Sequence, residues 1–335
     1  MPPFPSLRPE PVPLTILTGF LGAGKTTLLN RWLRDPLLAG TVVIVNELGD
    51  IALDHPRVET LSGNTLMLTG GCICCSLRGD LAATLETLLR GVDNHRLEPF
   101  RRVIMETTGL AEPAPILQTV PAHPYLGKRF FLDAVITVVD SLHAAGTITE
   151  FSEAAQQIAV ADILVAAKTD VVFPDRLDAL RLTLDCLAPG VPLLEGTPDA
   201  PSVADMQAHG LLTANPRRMS TGRSLLAEAA NPHTTGIDVF HLTSSEPVST
   251  GTLTMFFELL QATFGSNILR IKGLVATRDH PEKPVALQGV RHTLDIGPVL
   301  DAWPDDDHRT RLLFITRDLQ RARVEALWNA FRGSG

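Results

Sequence analysis

Apolar runs of five to eight residues alternate with longer amphipathic stretches along the first 195 positions. Residues 12–18 (VPLTILT) are β-branched and apolar, the composition of a strand buried on both faces. Similar runs at 41–46, 65–69, 102–106, 132–139, 163–168 and 191–195 predict further strands. Between them, 25–34, 79–91, 112–119, 150–160 and 175–187 carry helical spacing. Strands that alternate with helices predict an α/β architecture, a parallel sheet covered by helices on both faces.

The pattern breaks over 196–236. EGTPDAPS, TANPRRMSTG and AANPHTTG are rich in turn residues, and this stretch reads as a linker with local helix. A second alternation follows. Strands are expected at 237–242, 268–277, 285–294 and 311–316, with helices at 251–264 and 318–331. Leu253, Phe256, Phe257, Leu260 and Phe264 recur at helical spacing. This order predicts a smaller α+β domain built on an antiparallel sheet. The expected organisation is a Pro-rich tail over 1–11, a first domain over 12–195, a linker over 196–236 and a second domain over 237–331.

Composition narrows the classes. The chain has 335 residues, 44% hydrophobic and 20% charged, enough for two domains with full cores. A net charge of −8 without a dense Lys/Arg cluster argues against a nucleic-acid partner. No apolar run approaches the roughly 18 residues of a membrane span. The start, MPPFPSLRPEPVP, holds six prolines and no apolar core, and reads as an extended tail rather than a signal peptide.

Chemistry enters at the end of the first strand. Gly19, Gly24, Lys25 and Thr26 satisfy G-x-x-x-x-G-K-[ST], placed between a strand and a helix as a phosphate-binding loop requires. Such glycines, Gly22 included, let backbone N–H groups face phosphate oxygens, and the helix N-terminus adds its dipole. Lys25 is expected at the β/γ-phosphates, Thr26 on Mg²⁺ and Thr27 at the α-phosphate. Acids follow two later strands. Glu47 and Asp50 lie in VNELGD, and Glu106 opens ETTG. In P-loop enzymes a strand-end acid holds the Mg²⁺ shell. Glu106 is the candidate, and Gly109 is positioned to offer its N–H to a γ-phosphate. Lys25, Glu47, Asp50 and Glu106 are the candidate catalytic residues.

Residues 163–170 end in K-T-D, where GTPases use N-K-x-D. Asp170 would accept from guanine N1–H and N2–H₂, and Lys168 would pack on the base. Adenine offers an acceptor at N1, so this carboxylate favours guanine. Ala167 in place of Asn removes one polar contact and weakens that preference.

Cys72, Cys74 and Cys75 sit in GGCICC; the fourth cysteine, Cys186, lies in an apolar helix and is expected in the core. In an extended segment Cys72 and Cys74 share a face. Two thiolates leave a tetrahedral Zn²⁺ short of ligands. Cys75 after a turn, Glu47, Asp50, water or a partner's group would complete the shell. Thiolates favour Zn²⁺ and Cu(I) and tolerate Co²⁺. An incomplete shell suits a carrier that releases its ion. The reducing cytoplasm would keep such thiols free. The ten histidines are scattered; His55 and His143, near strand ends, are minor extra candidates.

Together GFLGAGKTTLLN, VNELGD followed by Asp54, GGCICC, ETTGLAEP, TVVD and KTD resemble the CobW family of metal-handling P-loop GTPases. ILRIKGL and ALQGVRH resemble that family's second domain, so the resemblance spans about residues 12–331. It implies a P-loop NTPase fold with a CobW-type C-terminal domain. It also implies GTP/GDP and Mg²⁺ as ligands and GTP hydrolysis, which is expected to be slow because the sequence shows no evident arginine finger or catalytic glutamine. Zn²⁺ or Co²⁺ would be held at Cys72, Cys74 and Cys75 in a nucleotide-dependent way, for delivery to a client metalloprotein or metal-inserting enzyme. Oligomeric state is left open, with a homodimer among the options. The His-rich stretch of several zinc-handling members is absent, which argues against storage. The rival readings are a nucleotide-dependent metal sensor or buffer, and a P-loop enzyme with structural zinc.

Overall fold

The computed structural model describes residues 11–46, 57–61, 65–70, 77–212, 237–290 and 293–332. The first domain is built on β1 (Val12–Thr18), β2 (Thr41–Asn46), β3 (Arg57–Leu61), β4 (Thr65–Gly70), β5 (Arg102–Glu106), β6 (Phe130–Asp140), β7 (Ile163–Ala167) and β8 (Leu193–Gly196). Among the described residues these form one sheet in the order β3-β4-β2-β5-β1-β6-β7-β8. Every pairing is parallel except β3 with β4. An antiparallel edge strand is therefore added to the parallel sheet expected from the alternation.

Alternate side chains of each strand feed two apolar layers, as a period of two requires. On one face Leu14, Ile16, Val42, Ile44, Val103 and Met105 pack under α2 (Leu77–Asp93), α3 (Pro113–Ala122), α5 (Ser152–Ala159) and α6 (Pro174–Leu187). On the other, Leu17, Val43, Ile104, Ile136 and Val165 meet α1 (Lys25–Trp32) and α7 (Val203–Ala208). In α1, Leu28, Leu29 and Trp32 are buried. Each such side chain contributes about 1.5–3 kcal/mol by leaving water. A further helix, α4 (Ala144–Glu150), leads into α5.

The second sheet joins β9 (Ile237–Ser244), β10 (Ile268–Val275), β11 (Val285–Val290), β12 (Thr293–Val299) and β13 (Thr310–Arg317). Its order is β12-β11-β10-β13-β9, antiparallel throughout. The single strand expected over 285–294 is two strands, β11 and the start of β12. Helices α8 (Thr250–Phe264) and α9 (Arg321–Arg332) cover one face with Leu253, Phe256, Phe257, Leu260, Val324 and Trp328. The opposite face carries Ile237, Val239, Leu269, Leu313 and Ile315 into the first domain's core beside α5 and α6.

The two sheets are also tied by charge. Asp162, between α5 and β7, accepts from Arg270 and Lys272 of β10, both at 2.5 Å. Arg270 also donates to the Val160 carbonyl at the end of α5. No helix among the described residues is long and apolar enough to cross a membrane.

Candidate functional site

Neighbouring strands β5, β1, β6 and β7 end at the same edge of the sheet, so their loops converge there. The glycine-rich loop after β1 depends on its glycines. Gly19, Gly22 and Gly24 have φ of 138°, 71° and 100°, which L-side chains rarely adopt. Gly19 also lies against the Val138 carbonyl of β6, where a Cβ would collide with backbone. Gly24 caps α1, and Lys25 and Thr26 follow as its first residues.

Lys25 is buried and folds back over the loop, its Nζ donating to Gly19 O at 2.9 Å and Phe20 O at 3.2 Å. Burial pulls its ammonium below the ordinary lysine value, opposed by the Glu106 carboxylate. The exposed Thr26 donates from Oγ1 to Glu106 Oε1 at 2.6 Å, while Glu106 itself is buried at the end of β5. Thr27 is exposed on the same first turn.

The loop after β5 is set by its neighbours. Thr107 donates from its backbone to Leu17 O at 3.0 Å and from Oγ1 to Thr18 Oγ1 at 2.8 Å. Gly109 packs so closely on Leu21 of the glycine loop that a Cβ would stand 2.5 Å from Leu21 N. Glu112, just before α3, lies 3.9 Å from Arg317 of β13.

On the other flank, Lys168 takes a left-handed conformation with φ 62°. Its Nζ donates to Gly22 O at 2.9 Å and to Asp140 Oδ2 at 2.7 Å. Asp140 also accepts from the Leu142 backbone and meets His143 Nδ1 at 3.0 Å. Burial alone would raise the Asp140 carboxyl, but Lys168, His143 and the Leu142 N–H outweigh it and hold it below the usual range. Asp170 is exposed in the turn that follows. Ala167 approaches Gly24, 3.9 Å from where that residue's Cβ would be.

The structure thus brings Gly22, Gly24, Lys25, Thr26, Thr27, Glu106, Gly109, Lys168 and Asp170 to one edge of the sheet. Glu47, Asp50, Asp54, His55, Cys72, Cys74 and Cys75 lie outside the described residues. Cys186 is half-buried in α6 rather than enclosed in the core, because its neighbours Leu184 and Leu187 take the inward face. His143 sits exposed at the start of α4, partnered by Asp140.

Three residues support the site without being among its sequence candidates. Asp140 braces Lys168; its sequence signal is the TVVD segment at a strand end. Arg31 of α1 donates to Thr197 O, Pro198 O and Pro201 O at 2.8–2.9 Å, holding the loop after β8 next to the K-T-D turn. Gln157 is buried in α5 and donates to two carbonyls of the β5 loop. Its signal is a pair of glutamines beside the alanines and isoleucine of α5.

Known proteins place this arrangement. Residues 13–194 match the model of the CobW/HypB/UreG nucleotide-binding domain, and 237–332 match the cobalamin synthesis protein cobW C-terminal domain. The zinc chaperone YjiA of Escherichia coli is 30% identical over 96% of this chain and 99% of its own. The zinc-regulated GTPase metalloprotein activator 1 of Schizosaccharomyces pombe is 29% identical, covering 93% of this chain and 84% of its own. The crystal structure of the Zn(II)-bound YjiA GTPase from E. coli superposes with a TM-score of 0.73 at 25% identity, covering 96% of this chain and 99% of that one. A glycine loop, a strand-end acid and a following antiparallel domain, matched end to end in this way, make the chain a member of the CobW/HypB/UreG family with a CobW-type C-terminal domain.

Proposed function

We propose that this protein is a GTP-hydrolysing metallochaperone that binds Zn²⁺ or Co²⁺ as cargo at Cys72, Cys74 and Cys75 and passes it to a client protein in the cytoplasm. The observation that carries the nucleotide half is the 2.6 Å contact between Thr26 Oγ1 and Glu106 Oε1, beside Lys25 and the glycine loop. Two hard oxygens, one of them anionic, fit Mg²⁺, which takes one or two protein ligands and keeps its waters and phosphate oxygens. Bound there, Mg²⁺ supplies charge neutralisation of the β- and γ-phosphate oxygens. The chain's own groups do the rest. Lys25 presents a cation already stripped of much of its water. Gly22 and Gly24 leave the loop backbone open to phosphate. Gly109 offers its N–H at the γ-phosphate position, pressed against Leu21. Lys168 and Asp170 supply the base contacts, with guanine favoured by the acceptor chemistry of Asp170.

The cargo half rests on family membership and on the thiol spacing of GGCICC. The names of the relatives, zinc chaperone and zinc-regulated GTPase metalloprotein activator, favour zinc. In this reading GTP orders the 46–54 segment and the 106–113 loop, which compresses the thiol site. Hydrolysis relaxes both and lowers affinity for the ion. Reciprocity requires that metal also tighten GTP binding.

The test is a titration of Zn²⁺ and Co²⁺ against a chromophoric chelator, without nucleotide, with Mg²⁺·GDP and with a non-hydrolysable GTP analogue. The expected result is a rise in metal affinity of about tenfold or more with the analogue alone, an ordinary allosteric coupling. That rise should vanish in the Cys72→Ser/Cys74→Ser variant. Affinity indifferent to nucleotide would sink the coupling and leave a GTPase with a structural or incidental thiol site.

A further inference from the structure

Helix α5 touches the candidate site at both ends. At its start, Phe151 packs on Phe20 of the glycine loop, ring centroids 4.7 Å apart. Near its end, Gln157 is 1% exposed and its amide nitrogen donates to Gly109 O at 3.0 Å and Ala111 O at 3.1 Å. Two facing carbonyls settle the orientation of the amide, since its oxygen would meet acceptors only. The backbone of Gln157 is fixed in turn, its carbonyl accepting from Thr137 Oγ1 of β6 at 2.7 Å. Burying a glutamine is costly unless its polar atoms are used. Here both N–H groups go to one loop, the loop that carries Gly109, while the amide oxygen meets no hydrogen-bond partner among the described residues.

We propose that Gln157 is a positioning residue that holds the Thr107–Ala111 loop in its γ-phosphate-binding conformation, and so sets the preference for nucleoside triphosphate over diphosphate. The proposal rests on the reading of Gly109 as a γ-phosphate contact. Its physical basis is a bias on the loop. A loop that GTP must order loses entropy on binding, and two hydrogen bonds from a fixed amide lower that cost by favouring the bound conformation that GTP completes. Ala111 packs in the first domain's core and Gly109 on Leu21, and Gln157 adds the latch, side-chain hydrogen bonds that reach both carbonyls. Thr107 is tied to β1, and Ala111 N donates locally to Thr108 O. Gly109 itself has no side chain, because Leu21 occupies the space. A cavity of about 140 Å³ lined by Phe20, Leu21, His143, Thr147 and Gln157 adjoins the latch, so apolar packing does not fill in behind it.

A diphosphate does not reach the loop, so its affinity is the internal control for folding. Gln157→Met removes both donors at nearly constant volume, and Gln157→Asn keeps the amide one carbon short of its acceptors. Each is titrated in the full chain with fluorescent GDP and with a fluorescent non-hydrolysable GTP analogue, both with Mg²⁺. Hydrogen exchange of residues 107–112 is followed in parallel. The expected outcome is GDP affinity within about twofold of wild type and triphosphate affinity lower by on the order of tenfold, the scale of two lost buried hydrogen bonds. Analogue-induced protection of 107–112 should also be lost.

Equal loss for both nucleotides, or no loss for either, would show that Gln157 only packs. If wild type itself gains no protection at 107–112 on exchanging GDP for the analogue, the γ-phosphate reading of the loop fails and the proposal with it. If wild type gains it and the Gln157 variants gain it equally, Gln157 alone loses its role. Should Gln157→Met fail to bind GDP, Gln157→Asn carries the test.

Discussion

Gly19 shows how much one position decides. Its φ of 138° and its contact with the Val138 carbonyl leave no space for a methyl group. Gly19→Ala would force the glycine loop off β6 and strain its own backbone at once. The expected cost is about 3 kcal/mol or more, from overpacking added to backbone strain. Urea unfolding would show it as a lower midpoint; a midpoint unchanged within error would refute it. The need for glycine here was legible, because G-x-x-x-x-G-K-[ST] names a turn whose backbone faces phosphate. Its collision partner was not, since Val138 is more than a hundred residues away. Gln157 and Arg31 escaped for a related reason. Each acts through backbone carbonyls, and any residue can present a carbonyl, so no pattern of side chains marks the acceptors.

At the scale of elements, the strands expected at 12–18, 41–46 and 102–106 form with those bounds. Long β-branched runs in the centre of a parallel sheet leave little ambiguity. The elements that escaped are weakly encoded. β3 is a five-residue edge strand with two charged positions in RVETL. α4 is AAGTITE, whose glycine and two threonines are poor helix formers. The single strand expected over 285–294 covers β11 and the start of β12, because no glycine, proline or asparagine stands between Val290 and Thr293 to signal a break. The order β1-β6-β7 has a direct consequence. It sets Gly22, Asp140 and Lys168 side by side, so Lys168 bridges two loops from neighbouring strands. Asp140→Asn keeps the shape and removes the charge that orients Lys168. Affinity for GDP and for a triphosphate analogue should fall together, by on the order of fivefold, as expected for weakening one charge-assisted hydrogen bond. Fluorescent-nucleotide titration checks this, and selective loss of the triphosphate would contradict it. Parallel loss at Asp140 and selective loss at Gln157 would separate the base-side loops from the γ-phosphate loop.

The whole molecule turns on the contact between its two sheets. In ILRIKGL, part of the strand expected over 268–277, two charges stand at alternate positions, Arg270 and Lys272. Arg270 is buried and Lys272 largely so against the first domain, where Asp162 faces both. A counterion more than a hundred residues away cannot be inferred from a local alternation. Burial would raise the Asp162 carboxyl, but Arg270 and Lys272 outweigh it and hold it at about 2. Burial and the neighbouring Arg270 lower Lys272 to about 8, against the pull of Asp162. The Asp162 pKa is thus depressed on folding from about 3.9 in an unfolded chain. The sign follows. The folded state binds fewer protons through this interval, so the stabilisation from Asp162 is complete above about pH 4 and fades as pH falls toward about 2. Asp162→Asn leaves two buried cations without their anion and should cost about 3 kcal/mol or more at neutral pH. Protonation of the wild-type carboxyl does to Asp162 what the substitution does permanently. The stability gap between wild type and Asp162→Asn should therefore be constant from pH 7 to about 4 and shrink below it, which is the linkage expected of one depressed carboxylate. Urea unfolding across that range measures the gap directly. A gap that stays constant down to pH 2 would mean that the charge of Asp162 does not hold the sheets together, and that the apolar face of Ile237, Val239, Leu313 and Ile315 does so alone.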